Sequence, residues 1–174
     1  MTIRKASLDD IKDIMNVENS AFIKGIREEE EVFIERIKRC SDLFLCFIDD
    51  NDKVIGYLSA EVMEKVPTTS QELELGHLPS TLNNIDKDNS YIYISSFALL
   101  PSMRGSGRGK EMWNKSISYL EKVSGIKHFL LLVNEEWQGA SHIYKESGFK
   151  IINTFNNFFY SESKGKSSGI LMEK

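Results

Sequence analysis

Two cysteines are all that this 174-residue chain carries, Cys40 and Cys46, and they form no CxxC pair. A disulfide scaffold or a thiolate metal site is therefore set aside in favour of two reduced core thiols. Proline is scarce as well, with three residues, and no Pro-rich linker divides the chain. We expect residues 1–174 to form one domain, a size that supports a core without covalent staples. Positive charge is in deficit: 22 Lys and Arg stand against 26 Asp and Glu, a net charge of −4. Broad nucleic-acid binding, which needs a basic face, is not expected. No apolar run approaches the roughly 20 residues that span a bilayer. The start, MTIRKASLDDIKDI, lacks a signal-peptide core, so the expectation is a cytoplasmic protein with no membrane association. Apolar residues make up 41 % and charged ones 28 %, the balance of an ordinary folded domain.

Local patterning alternates strands and helices. Thr2 to Lys5 reads as a strand, and Ser7 as the N-cap of a helix that carries Ile11, Ile14, Met15 and Glu18 on one side. Glu28 to Cys40 reads as a second helix, with Glu28 to Glu31 as a solvated first turn that suits the dipole. Leu43–Ile48 and Lys53–Met63 flank the turn Asp49-Asp50-Asn51-Asp52 and make an antiparallel hairpin. That acidic turn lacks the glycine and distal glutamate of an EF-hand. Gly56 within the second strand suggests a bulge or a close backbone approach. Residues 64–90 are too long for a plain connector and should hold a short helix or a binding loop. His128 to Val133 is continuous and apolar, as in a strand covered on both faces. Trp137 to Ser147 reads as a helix ended by Gly148, followed by a strand from Phe149, a polar turn, and a last strand Gly169 to Glu173. The fold class is α+β with a mixed sheet.

The most informative stretch is Tyr91 to Trp113, where three of the eleven glycines fall within five residues. An apolar strand reaches Pro101, Gly105, Gly107 and Gly109 follow, and a helix opens near Lys110. A glycine loop at a helix N-terminus offers backbone N–H groups to phosphate oxygens, and Arg104, Arg108 and Lys110 add positive charge. Two known phosphate loops do not fit. A dinucleotide-binding GxGxxG needs its third glycine three residues after the second, whereas Gly109 follows Gly107 by two. A Walker A loop needs one more residue before Lys110, and Glu111 stands where its hydroxyl should be.

A third motif matches. Arg104-Gly105-Ser106-Gly107-Arg108-Gly109 fits the pattern Arg/Gln-x-x-Gly-x-Gly/Ala. Phe97-Ala98-Leu99-Leu100-Pro101 precedes it, and Ala140 to Phe149 fits AxxxYxxxGF. Together these resemble the GNAT superfamily of acyl-CoA-dependent N-acetyltransferases. The resemblance implies a central mixed, mostly antiparallel sheet of about seven strands flanked by about four helices. It implies acetyl-CoA as co-substrate, no metal, and direct acetyl transfer to an amine. The amides of Gly105, Ser106, Gly107, Arg108, Gly109 and Lys110, with Arg104 beside them, would bind the diphosphate. Strand residues Phe97, Ala98 and Leu99 would pair with the pantetheine arm and hold the thioester oxygen.

Tyr144 falls where many relatives carry the general acid for the leaving thiolate, its ordinary pKa lying near that of a thiol. On its own such a tyrosine is more often a packing residue. The family's asparagine before the alanine is replaced by Trp137, and Asn134 stands in as the candidate for the cofactor arm. Trp113 and Trp137 otherwise read as core or wall residues, His128 and His142 as structural or exposed. No base is evident on strand 91–99. Tyr93, Ser95 and Ser96 can only order water, so a water chain, or a carboxylate from elsewhere such as Glu72 or Glu74, would take the amine proton. His77, in the irregular segment, is weighed evenly between a role and none.

The layout of Phe33, Arg36, Phe44 and residues 64–90 is similar to branches that acetylate arylalkylamines or polyamines. The expected partner is a small amine, with acidic side chains suiting a cation. Two alternatives stand: acetylation of protein N-termini, and a non-catalytic acyl-CoA sensor. Dimers are common among such proteins, so a homodimer is a further expectation of the resemblance.

Overall fold

The computed structural model describes residues 1–76, 82–83 and 85–174. Among these residues seven strands make one sheet in the order β1-β2-β3-β4-β5-β7-β6. They are β1 (Thr2–Lys5), β2 (Phe44–Ile48), β3 (Val54–Met63), β4 (Tyr91–Leu99), β5 (His128–Asn134), β6 (Lys150–Ser161) and β7 (Gly165–Glu173). Four helices flank them: α1 (Ile11–Ala21), α2 (Glu30–Cys40), α3 (Arg108–Ser124) and α4 (Gln138–Glu146). Only β4 and β5 pair in parallel; every other neighbouring pair is antiparallel. The α+β fold class and the mostly antiparallel sheet are as the motif resemblance implies.

Strand β2 shows why the sheet is sandwiched. Its five residues are all buried, and they alternate between two cores. Leu45 and Phe47 join the core under α3, whereas Phe44, Cys46 and Ile48 join the core under α1 and α2. The period of two sends successive side chains to opposite faces, so a fully apolar run is required where both faces are covered. On the α1–α2 side, Phe33 meets Phe44 and Tyr57 edge-on at 5.5 and 5.3 Å. Truncating a buried phenylalanine of this kind costs about 3–5 kcal/mol.

Several boundaries differ from the sequence pattern. Ser7 does not cap α1 directly. It opens a short 3-10 turn, Leu8–Asp10, in a capping box with Asp10, whose carboxylate is also held by Arg4 at 2.7 Å. Helix α2 begins at Glu30, and Glu28 lies buried before it, so the four-glutamate run is not a solvated first turn. Strand β7 begins at Gly165, ahead of the expected Gly169. The polar residues Lys166 and Ser167 extend the β6–β7 hairpin, pairing with Tyr160 and Phe159, because a solvent-facing ribbon needs no apolar pattern. The irregular segment holds a 3-10 turn at Ser70–Leu73. His77 and Pro79 lie outside the described residues.

Among the described residues no helix is long and apolar enough to cross a membrane.

Candidate active site

The site begins with a disagreement between two parallel strands. β4 pairs with β5 only over Tyr91–Ile94, against His128–Leu131. From Ser95 onward the two strands part, and β5 continues alone with β7. A β-bulge sits at that point: Ser59 pairs with Ser96 and Ala60 with Ile94, which leaves Ser95 as the extra residue. Bulges bend and twist a strand. Beyond this one, Ser95–Leu99 turns an edge of backbone N–H and C=O groups toward the gap, free of β5. Gly56 holds the far side of that edge. A Cβ there would lie 2.6 Å from the Ala98 carbonyl oxygen, so the close approach expected of this glycine is observed, and a register shift lies beside it, where Phe47 pairs with Gly56 and Ile48 with Val54.

The glycine loop follows β4 through a 3-10 turn, Pro101–Met103. Gly105 and Gly107 adopt φ of +79° and +78°, a left-handed conformation that glycine takes without a Cβ penalty. Gly107 is the N-cap of α3, and the first intrahelical bond runs from the Glu111 N–H to the Gly107 carbonyl at 3.1 Å. The amides of Arg108, Gly109 and Lys110 therefore have no acceptor within the helix. Arg104 donates from Nε and Nη2 to the Leu99 carbonyl at 3.3 and 3.2 Å, tying the loop to the end of β4. Lys110 reaches Glu146 on α4 at 3.1 Å. Loop residues 104–108 are exposed.

Between the parted strands lies a cavity of about 600 Å³. Its walls include Phe97 from β4, Val133 from β5, Tyr144 from α4, and an aromatic flank of Phe22, Trp137 and Phe159. Trp137 packs Phe22 at 5.4 Å and Phe159 at 5.6 Å. Tyr144 packs at a tilt of 47° on the buried Trp113, ring centres 4.5 Å apart, which fixes its ring. Burial raises its hydroxyl pKa above the ordinary 10, so the phenol stays protonated.

The floor carries charge. Arg36 and Glu28 line it, 3.1 Å apart, both buried, and Arg36 also faces Glu61. Arg36 Nη1 donates to Ser95 Oγ at 3.3 Å, and Ser95 Oγ in turn donates to the Ser59 carbonyl at 3.1 Å. Glu18, 1 % exposed, lines the cavity next to this pair. It accepts the Glu28 N–H at 2.7 Å and a short hydrogen bond from the Tyr57 hydroxyl. Tyr57 Oη lies 2.7 Å from Ser96 Oγ. Desolvation raises the Glu18 pKa, against the lowering effect of those two bonds.

The candidate residues are thus partly assembled. Phe97 and Tyr144 face one cavity, and Ala98 and Leu99 carry β4 past its pairing with β5 toward Gly105–Lys110, the Leu99 carbonyl being taken by Arg104. Asn134 does not line the cavity: its Nδ2 donates to Ser167 Oγ at 2.8 Å and its Oδ1 accepts the Glu136 N–H at 2.9 Å. Both amide ends thus serve the β5–β7 junction. Glu72 is spent on structure. Lys65 and the Thr68 and Thr69 amides hold its carboxylate at a pKa of about 2, which suits a cap and not a base. Phe33 and Phe44 belong to the core, whereas Arg36 does face the cavity. Trp113 is core and Trp137 is wall, and His128 and His142 are exposed. Glu18 was the residue hardest to foresee. Its spacing on α1 marks it as core-facing, a position where a carboxylate needs a partner.

The family model for the Acetyltransferase (GNAT) family matches residues 9–149. No curated protein matches the chain. Many solved structures do. The loading GNATL domain of CurA from Lyngbya majuscula is 13 % identical with a TM-score of 0.78, over 99 % of this chain and 96 % of that one. The ribosomal-protein-S18-alanine N-acetyltransferase of Escherichia coli is 16 % identical with a TM-score of 0.70, over 99 % and 91 %. A phosphinothricin acetyltransferase from Sinorhizobium meliloti, solved with AcCoA, is 14 % identical with a TM-score of 0.72, over 99 % and 86 %. At these identities the likeness establishes the fold alone.

Proposed function

This chain belongs to the acetyltransferase (GNAT) family and is an acyltransferase, and from that premise we propose that it moves an acetyl group from acetyl-CoA to a small primary amine. The diphosphate binds the amides of Gly105–Lys110, with the α3 dipole and the arginines beside it. The pantetheine arm adds to the unpaired edge of β4 at Phe97, Ala98 and Leu99, as a strand adds to a sheet. The thioester then lies at the cavity wall, against a backbone N–H of the bulged segment. A neutral amine attacks its carbonyl, and Tyr144, protonated and rigid, is placed to protonate the leaving thiolate. Holding both reactants in one cavity removes most of the entropy of their meeting.

The acceptor reading is carried by one observation: the acceptor side of the cavity is bridged. Gly25, in the α1–α2 loop, packs so tightly on β6 that a Cβ there would lie 3.0 Å from the Tyr160 carbonyl oxygen. Both residues line the cavity. A bridge of this kind suits a small molecule better than a polypeptide laid along an open groove. The carboxylates of the floor favour a cationic head, and the ring faces of Phe22, Trp137 and Phe159 an apolar or aromatic body. Acetylation of protein N-termini remains the rival reading, with a ribosomal-protein-S18-alanine N-acetyltransferase among the similar structures. Thiol release from acetyl-CoA, with product masses measured for arylalkylamines, polyamines and short peptides, decides between them. We expect turnover with small amines; turnover confined to peptides would overturn the reading. Acetyl-CoA binding without turnover of any acceptor would point instead to a sensor.

A further inference from the structure

The geometry points to Glu18 as the terminal acceptor of the amine's proton, reached from the cavity through Ser96 and Tyr57, an inference that rests on the amine-acetylation reading. The three residues come from different elements, α1, β3 and β4, and meet at the floor where β4 leaves β5. Ser96 is the half-exposed member, whereas Tyr57 is fully buried and Glu18 nearly so. The chain of bonds has a direction. The Tyr57 hydroxyl donates to Glu18 Oε2, so its oxygen is left to accept from Ser96 Oγ at 2.7 Å. Ser96, having turned its proton inward, presents lone pairs to the cavity. An ammonium group at Ser96 can hand over one proton while the serine and tyrosine protons each move one place. The carboxylate ends protonated, with the hydroxyls restored.

The balance closes without another reactant. The acceptor enters as R–NH3+ and gives its first proton through Ser96 and Tyr57 to Glu18. The nitrogen lone pair forms the C–N bond and the C–S bond breaks; Tyr144 gives its proton to the leaving sulfur and takes the nitrogen's second proton in its place. Glu18 returns its proton to solvent when the amide leaves. The net release is one proton for each acetyl group transferred.

The surroundings make Glu18 a better acceptor than an exposed glutamate. Burial raises its pKa toward that of an amine. The groups that face it are Tyr57 from β3, Glu28 from the segment before α2, and Arg27; Arg36 of α2 acts on Tyr57. Glu28 reinforces the rise, and Arg27 with the Glu28 amide opposes it. Of the two carboxylates the sequence offers, Glu72 is held near 2 and is engaged in a cap, whereas Glu74 lines the same cavity but is not part of this hydrogen-bonded chain.

The test uses two acceptors of one shape, 2-phenylethylamine and its weakly basic 2,2-difluoro analogue, with the full chain. The analogue is largely neutral before it binds, so it has no first proton to lose. Glu18→Gln should lower kcat/KM for phenylethylamine about 100-fold near neutral pH and for the analogue less than about fivefold. The acid limb of the pH–rate profile should move only with the basic amine. Tyr57→Phe and Ser96→Ala should repeat this selective loss, and they carry the test if Glu18→Gln does not fold, with acetyl-CoA binding as the check on the fold. Equal losses for both amines, or no loss for either, would overturn the relay. If the unaltered chain acetylates neither these nor any other amine, the parent reading fails and the relay with it. If it acetylates both and the variants match it, the relay alone fails.

Discussion

The two ends of the site are built in opposite ways. At the proposed cofactor end, Gly105–Lys110 is a continuous, largely exposed piece of chain whose useful groups are main-chain amides. At the proposed acceptor end, Glu18, Glu28, Arg36, Tyr57 and Ser96 come from five separate places in the sequence. Their useful groups are side chains, most of them buried. A backbone receptor needs little from its neighbours beyond a helix start and glycines. A buried ionic floor needs every partner present, because an uncompensated charge away from water is costly. The contrast predicts that damage at the acceptor end unfolds or silences the protein, while damage at the cofactor end weakens binding and leaves the rest intact.

The largest effect should come from Arg36→Ala. It strips the buried Glu28 and Glu61 of their shared cation and should cost about 3–5 kcal/mol of stability in denaturant unfolding. A cost below about 1 kcal/mol would mean that the floor is wetter than the contrast requires. Next comes Tyr144→Phe, expected to lower kcat about 100-fold while the acetyl-CoA Kd stays within twofold. A parallel loss of cofactor affinity would place Tyr144 with the binding end. Gly107→Val, at φ +78°, forces a β-branched residue into the left-handed region at about 1–2 kcal/mol. It should weaken acetyl-CoA about tenfold in a calorimetric titration. An unchanged Kd there would break the contrast from the other side.

The smallest effect belongs to a pair that lines neither end. Arg4 holds the Asp10 carboxyl at about 2, below its ordinary 3.8. A carboxyl lowered by folding adds stability above its ordinary value and loses it as the pH falls through the folded one. The chain should therefore lose roughly 1 kcal/mol between about pH 4 and 2, with the half-exposed arginine limiting the gain. Asp10→Asn should flatten that part of the profile.

The same contrast explains what could be read from the residues alone. The glycine loop at the start of α3 was legible because local backbone geometry needs glycine at fixed spacing, and Gly105, Gly107 and Gly109 lie within five residues. β4 was legible from Tyr91 to Leu99 because β-prone apolar residues flank Ser95 and Ser96 on both sides and lead up to Pro101. The carboxylate floor was not. Glu18 looks like one more helical residue until the hairpin brings Tyr57 above it, and Glu28 looks solvated within a run of four glutamates until Arg36 claims it. Asn134 is the converse case: sequence position alone set it beside a cofactor, whereas the polar ends of β7 and the following turn consume its amide. Lys166 and Ser167 read as turn residues because a solvent-facing ribbon carries no hydrophobic period.

The central claim is that the two ends serve one transfer, with the thioester and the amine meeting in the cavity between β4 and β5. A bisubstrate compound, coenzyme A joined through sulfur by an acetyl bridge to phenylethylamine, measures this directly. It should bind at least about 100-fold more tightly than acetyl-CoA, because one ligand then holds both ends at a single entropic cost. Affinity no better than that of acetyl-CoA itself would mean that the loop and the floor do not converge on one reaction.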